Sequence, residues 1–170
     1  MFIRIYCKID RLFNGIGGVK VTTTQEQKKI FWKMFEEILV EKNENFKIAY
    51  VHKLRKEITS YAAVNRKQSF NANALDLSFL FREGLFRVNL YITKQSLVRK
   101  INLAKEEINS MVSVPIVWDN GKGCLRPSVY FSFVPKDIDD YRRVIEESLT
   151  TIHEFIEVAN KYGKDDFFDF

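Results

Sequence analysis

Two alternating apolar runs, separated by a short turn, constrain this chain more than any other feature. Leu75, Leu77, Phe79 and Phe81 fall on every second residue, Arg82-Glu-Gly84 interrupts, and Phe86, Val88, Leu90 and Ile92 resume the alternation. Successive side chains of a strand point to opposite faces, so a period of two collects the apolar residues of each run on one side. A connection this short makes the two strands antiparallel neighbours. The chain is thereby committed to an antiparallel sheet with one apolar face, and that face needs a layer of helices to cover it.

The helices are present in the sequence. Thr24-Gln-Glu-Gln27 has the spacing of a capping box, and Ile30, Phe31, Met34, Phe35, Ile38 and Leu39 follow at helical intervals to about Val40. Trp32 falls off that face, which leaves it either covered by another element or serving as a contact residue. A second helix is predicted from about Ser96 to Met111, with Leu97, Ile101, Ala104, Ile108 and Met111 facing inward. A third follows Pro135, with Asp137, Asp139 and Asp140 in its first turn, where carboxylates suit the helix dipole. Its stripe is Ile138, Tyr141, Ile145, Leu149, Ile152, Ile156 and Ala159, and Gly163 is its natural stop.

Further strands complete the pattern. Ile3, Ile5, Cys7 and Ile9 alternate with Arg4, Tyr6 and Lys8, and Asn14-Gly15-Ile16-Gly17-Gly18 then breaks the chain. Val114, Ile116 and Trp118 predict a short strand, Asp119-Asn-Gly121-Lys-Gly123 a turn, and Val129, Phe131 and Phe133 the returning strand. Residues 41–67 read two ways. Val51, Leu54, Ile58, Tyr61 and Ala62 would line a helix, whereas Phe46, Ile48 and Tyr50 alternate like a strand. The expected fold class is α+β: an antiparallel sheet built largely from β-hairpins and packed against about three amphipathic helices. Residues 1–23 form an N-terminal strand and Gly-rich turn of the same domain, 24–163 the single α+β domain, and 164–170 an acidic-aromatic tail.

With 170 residues, 46% apolar and 14% aromatic, the chain has ample material for a core, which excludes disorder for its bulk. Two cysteines far apart, Cys7 and Cys124, do not make a disulfide scaffold. Arg4 and Lys8 interrupt the apolar start, so no signal peptide is expected, and no run approaches a membrane span of about 20 residues. A cytoplasmic location with no membrane contact is the expectation.

Catalytic and metal motifs are not recognisable. His52 and His153 lack Cys, His or carboxylate partners at ligand spacing, so neither a metal nor another cofactor is implied. There is no Gly-x-Ser-x-Gly elbow, and neither cysteine carries a nucleophile signature. The glycines at 15, 17 and 18 match no phosphate-loop spacing and read better as a turn. The acids Glu57, Asp76, Glu83 and Asp119 lack the following acid-x-Lys of a metal-dependent nuclease. No catalytic residue is assigned, although a site assembled only by folding stays open.

Charge placement carries the remaining signal. Lys42, Lys47, Lys53, Arg55, Lys56, Arg66 and Lys67 stand against Glu44 and Glu57, a local excess equal to the +5 of the whole chain. Tyr50 and Tyr61 are interleaved. Lysines that neutralise phosphates release counterions, and a tyrosine can stack on a base. Lys47, Tyr50, Lys53, Arg55, Lys56, Arg66 and Lys67 are therefore the candidate nucleic-acid contacts, without sequence preference. The competing reading is a solvated charged face.

From the hairpin onward the chain resembles a bacterial family, domain-of-unknown-function family 4268. The residues that carry the resemblance are Phe86-Arg-Val-Asn-Leu-Tyr-Ile92, Lys105-Glu-Glu-Ile108 and Pro115-Ile-Val-Trp118-Asp119, with Phe31-Trp32 at the entry. It spans about residues 24 to 162, and departs from the family at Asn89, where an acid is usual, and at Asn109, where Glu is common. The family has no established catalytic residues. What the resemblance implies is a setting beside restriction-nuclease-like domains, in nucleic-acid metabolism or defence. Two functions follow as expectations: a nuclease-associated accessory module that contacts nucleic acid, or a module that binds a protein partner or a second copy. The second rests on Trp32 and on the Phe167-Phe168-Asp169-Phe170 tail.

Overall fold

The computed structural model describes residues 24–50, 60–65, 73–121 and 123–168. The expected first strand, the glycine turn and the possible helix over 51–58 lie outside these residues. The elements are α1 (Thr24–Glu41), β1 (Ile48–Tyr50), β2 (Tyr61–Val64), β3 (Ala74–Leu80), β4 (Leu85–Tyr91), α2 (Gln95–Leu103), α3 (Lys105–Met111), β5 (Val117–Gly121), β6 (Cys124–Ser132) and α4 (Ile138–Phe167). The described strands form one antiparallel sheet in the order β1-β2-β3-β4-β6-β5, so the fold is α+β.

The β3–β4 hairpin is the centre of the sheet, with Leu77 opposite Val88 and Phe79 opposite Phe86. Phe81 leaves the strand for the turn, a short 3-10 segment that ends at Gly84. Gly84 has φ +61°, and a Cβ there would stand 2.8 Å from the Phe133 carbonyl oxygen, so the position requires glycine twice over.

The helices cover the apolar face. Phe31 of α1 stacks on Phe79 at 4.0 Å, Phe79 stacks on Phe133 at 5.0 Å, and Tyr141 of α4 meets all three edge-on. The buried Tyr141 hydroxyl is fully used: it donates to Gln27 Oε1 at 2.8 Å and accepts from the Lys136 N–H at 3.1 Å. Ile101 of α2, Ile108 of α3 and the stripe of α4 complete the same core.

Of the two readings of Trp32, the covered one holds: it is 2% exposed and packs edge-on to Phe31. Several expectations need correcting. Ile30 and Met34 are only partly buried, because α1 is rotated to put Gln27, Phe31, Trp32, Phe35, Ile38 and Leu39 inward. Tyr61 and Ala62 belong to a strand, not a helix face. The expected strand over 114–118 begins instead at Val117 and runs through Asp119 and Asn120 to Gly121, leaving the turn to residues around Gly123, which has φ +75°. The second expected helix is two, divided at Ala104. Helix α4 has a non-helical residue at Gly163 but continues to Phe167. The described part of the tail, 164–168, is thus packed against the body: Phe167 is 0% exposed, Phe168 is also buried, and Asp166 pairs with Lys94 at 2.9 Å, while Asp169 and Phe170 lie outside the described residues.

Candidate functional site

Of the seven expected nucleic-acid contacts, the described residues include Lys47 and Tyr50. Lys47 is exposed and immediately precedes β1. Its N–H donates to Asn65 Oδ1 and its carbonyl accepts from the Asn65 N–H, both at 2.8 Å, which fixes the backbone on which its side chain stands. Tyr50 ends β1 and its backbone pairs with Ala62. Lys53, Arg55, Lys56, Arg66 and Lys67 lie outside the described residues.

The start of the charged stretch is drawn toward α4. Lys42 pairs with Glu146 at 3.8 Å, and Glu44 meets His153 Nε2 at 2.6 Å. His153, read from sequence as structural or superficial, thus sits at the surface in a hydrogen bond with Glu44, with the Phe46 ring edge-on to it. A cleft of about 500 Å³ opens between the end of α1 and β1, with Leu39, Val40, Phe46 and Ile48 as its apolar lining and Lys47 at its rim.

The strand registers also define a polar face, opposite to the one the helices cover. Arg87 stands across from Tyr130, and Asn89 across from Ser128. One step on, Arg126 lies over the Tyr91 ring at 4.9 Å. Two arginine–tyrosine pairs therefore flank an Asn–Ser pair, because β4 presents Arg, Asn, Tyr and antiparallel β6 presents Tyr, Ser, Arg. On β3, Asp76 faces Asn89 and Ser78 faces Arg87. Beyond Ser78 lies Tyr61 of β2, exposed like Tyr130.

The polar atoms at the centre of this face are unevenly satisfied. Arg87 Nη2 donates to Ser78 Oγ at 3.0 Å, and Ser128 Oγ donates to the Arg126 carbonyl at 3.2 Å. Arg87 Nε and Asn89 Oδ1 are buried with no hydrogen-bond partner among the described residues. Burial alone would lower the Arg126 guanidinium, but Cys124, a hydrogen bond with Tyr91 and Asp119 together hold it above its ordinary value. Sequence reasoning assigned the apolar half of these strands to the core and gave the polar half no role. The signal was present in the intervening residues, Arg87, Asn89, Tyr91 and Arg126, Ser128, Tyr130.

Among the described residues no group of three or more His, Cys, Asp or Glu side chains is placed to hold a metal ion, and no helix is long and apolar enough to cross a membrane. No family model matches the chain, and no curated protein matches it. Among solved structures it is similar to the crystal structure of YbjN from E. coli, a proposed transcription regulator, at 10% identity and a TM-score of 0.38, over 76% of this chain and 93% of that one. A likeness at that TM-score carries no argument.

Proposed function

We propose that this protein is a cytoplasmic accessory module that contacts nucleic acid through the basic 42–67 region, in the nuclease-associated setting that the resemblance to domain-of-unknown-function family 4268 implies. The observation that carries the reading is where the positive charge is left over. Residues 73–168 hold thirteen basic against fourteen acidic side chains, so the excess of the chain does not come from that part. Basic side chains of that part are paired with acids: Arg142 with Glu146 and with Glu41 of α1, Arg143 with Asp140 and Glu147, Lys161 with Glu107. Between residues 42 and 67 the sequence holds seven basic against two acidic side chains, among them Lys47, Lys53, Arg55, Lys56, Arg66 and Lys67. A stretch of sequence with a net positive charge suits a polyphosphate backbone.

The rival reading, a protein-interaction module, rested on Trp32 and the terminal rings. Trp32, Phe167 and Phe168 are all buried, so none of the three offers a docking surface. The test is binding to labelled DNA and RNA before and after the combined changes Lys53→Glu, Arg55→Glu and Lys56→Glu. Loss of binding with an unchanged unfolding midpoint supports the reading. Full retention of binding by the reversed protein overturns it.

A further inference from the structure

We infer that Asn65 is a positioning residue of the nucleic-acid contact: a neutral clamp that holds Lys47 at the edge of the sheet, where its ammonium can meet a phosphate. The inference rests on the nucleic-acid reading above and gives a role in it to a residue outside the basic set.

Three observations carry it. The first is the place of Lys47. It immediately precedes β1, which ends the described sheet on one side, and it is exposed. Lys42 of the same basic stretch is taken up by Glu146 at 3.8 Å, whereas the Lys47 ammonium has no ion pair among the described residues. A cation left free in this way can exchange its counterions for a phosphate.

The second is how the root of that side chain is held. Strand β1 has only three residues, so few ladder hydrogen bonds fix it to β2. The register that sets Ile48 opposite Val64 brings Lys47 opposite Asn65, one step beyond the strand. There the Lys47 N–H donates to Asn65 Oδ1 and the Asn65 N–H donates to the Lys47 carbonyl, both at 2.8 Å. The Asn65 side chain thus takes the role that a main-chain carbonyl has in a regular antiparallel pair. A lysine on a fixed backbone loses less freedom on meeting a phosphate than one on a loose chain, and binds more tightly for it.

The third is the residue type. Asn65 has φ +44°, a left-handed backbone that Gly, Asn and Asp adopt more readily than other residues. Of the three, Gly has no acceptor, and Asp would set a carboxylate beside Lys47. Asn accepts the bond and leaves the positive charge uncancelled.

The experiment is fluorescence anisotropy of the full chain with a labelled single strand of about 12 nucleotides across a salt series, with unfolding midpoints measured in parallel. Lys47→Gln is expected to flatten the slope of log K against log salt by roughly 0.7, the share of one phosphate on a single strand. Asn65→Gly keeps the backbone conformation and removes the acceptor. It is expected to weaken binding roughly threefold, as the freedom of Lys47 must then be lost on binding, and to weaken it no further in the Lys47→Gln background. A merely structural role would weaken both backgrounds alike. Where Asn65→Gly lowers the unfolding midpoint, Asn65→Asp decides: it keeps the acceptor and the midpoint, and is expected to bind more weakly at low salt because its carboxylate opposes the phosphate. If the unaltered chain binds with a steep slope and Lys47→Gln leaves that slope unchanged, the inference is overturned and the reading through Lys53, Arg55 and Lys56 survives. Equal weakening by Asn65→Gly with and without Lys47, or full affinity of Asn65→Asp, overturns it in the same way. If the unaltered chain does not bind even at low salt, both readings fall together.

Discussion

Tyr162, late in α4, ties three elements together: its hydroxyl donates to Glu107 of α3, its carbonyl accepts from Lys100 Nζ of α2 at 2.8 Å, and its neighbour Lys161 reaches Glu107 at 2.5 Å. The hydrogen bond to Glu107 pushes the Tyr162 phenol up to about 12 from an ordinary 10.0. A pKa raised by folding stabilises below the unfolded value and is lost as pH climbs through the folded one. Stability is therefore expected to decline between pH 10 and about 12, and Tyr162→Phe should lessen that decline when urea midpoints are compared across the window. Glu107 behaves oppositely. Lys161 first and Tyr162 second hold its carboxyl below the ordinary 4.5, so its contribution is present above that value and fades as pH falls. Glu107→Gln should accordingly lessen the loss of stability on acidification below pH 4.5. At Gly84, alanine meets both an unfavourable φ of +61° and the Phe133 carbonyl, so Gly84→Ala is expected to cost about 1–3 kcal/mol in a denaturation experiment. Gly84 was legible from sequence as a turn residue, whereas Trp32 was left between a covered and a contact role. A helical wheel places Trp32 at the edge of one stripe, and only the positions of Phe35 and Phe86 show that a ring there is enclosed.

Elements whose boundary is set by local chemistry were read well, and those set by tertiary pairing were not. The β3–β4 hairpin follows from alternation and one turn. The start of α4 follows from Asp137, whose side chain accepts from the N–H groups of Asp139 at 3.1 Å and Asp140 at 3.3 Å. Removing that cap, Asp137→Ala, is expected to cost about 1 kcal/mol, read as a lower thermal midpoint. Strand β5 is the contrary example. Asp119, Asn120 and Gly121 have turn composition, but pairing with Arg126, Leu125 and Cys124 keeps them extended, and the bend moves to Gly123. The two-fold reading of 41–67 had the same origin. Phe46, Ile48 and Tyr50 carry too few residues to establish a period, and β1 is only three residues long, held by its register against Ala62, Ala63 and Val64.

At the scale of the molecule, the sheet has two faces of different composition. One is buried under α1 and α4 around Phe31, Phe79 and Tyr141, and the other carries Arg87, Asn89, Tyr130 and their neighbours. The fold class was legible because apolar alternation reports it directly. The basic 42–67 stretch was legible as charge density, whereas the polar halves of β4 and β6 were not legible as partners, since they meet through pairing between residues some forty positions apart in sequence. The central claim is that this chain holds a nucleic-acid backbone by charge. Its most direct test is the affinity of the unaltered chain for a labelled single strand across a salt series. If about four of the basic side chains neutralise phosphates, log K falls linearly against log salt with a slope of roughly −3. An affinity that stays flat from low to moderate salt, or an absence of binding at low salt, contradicts the account.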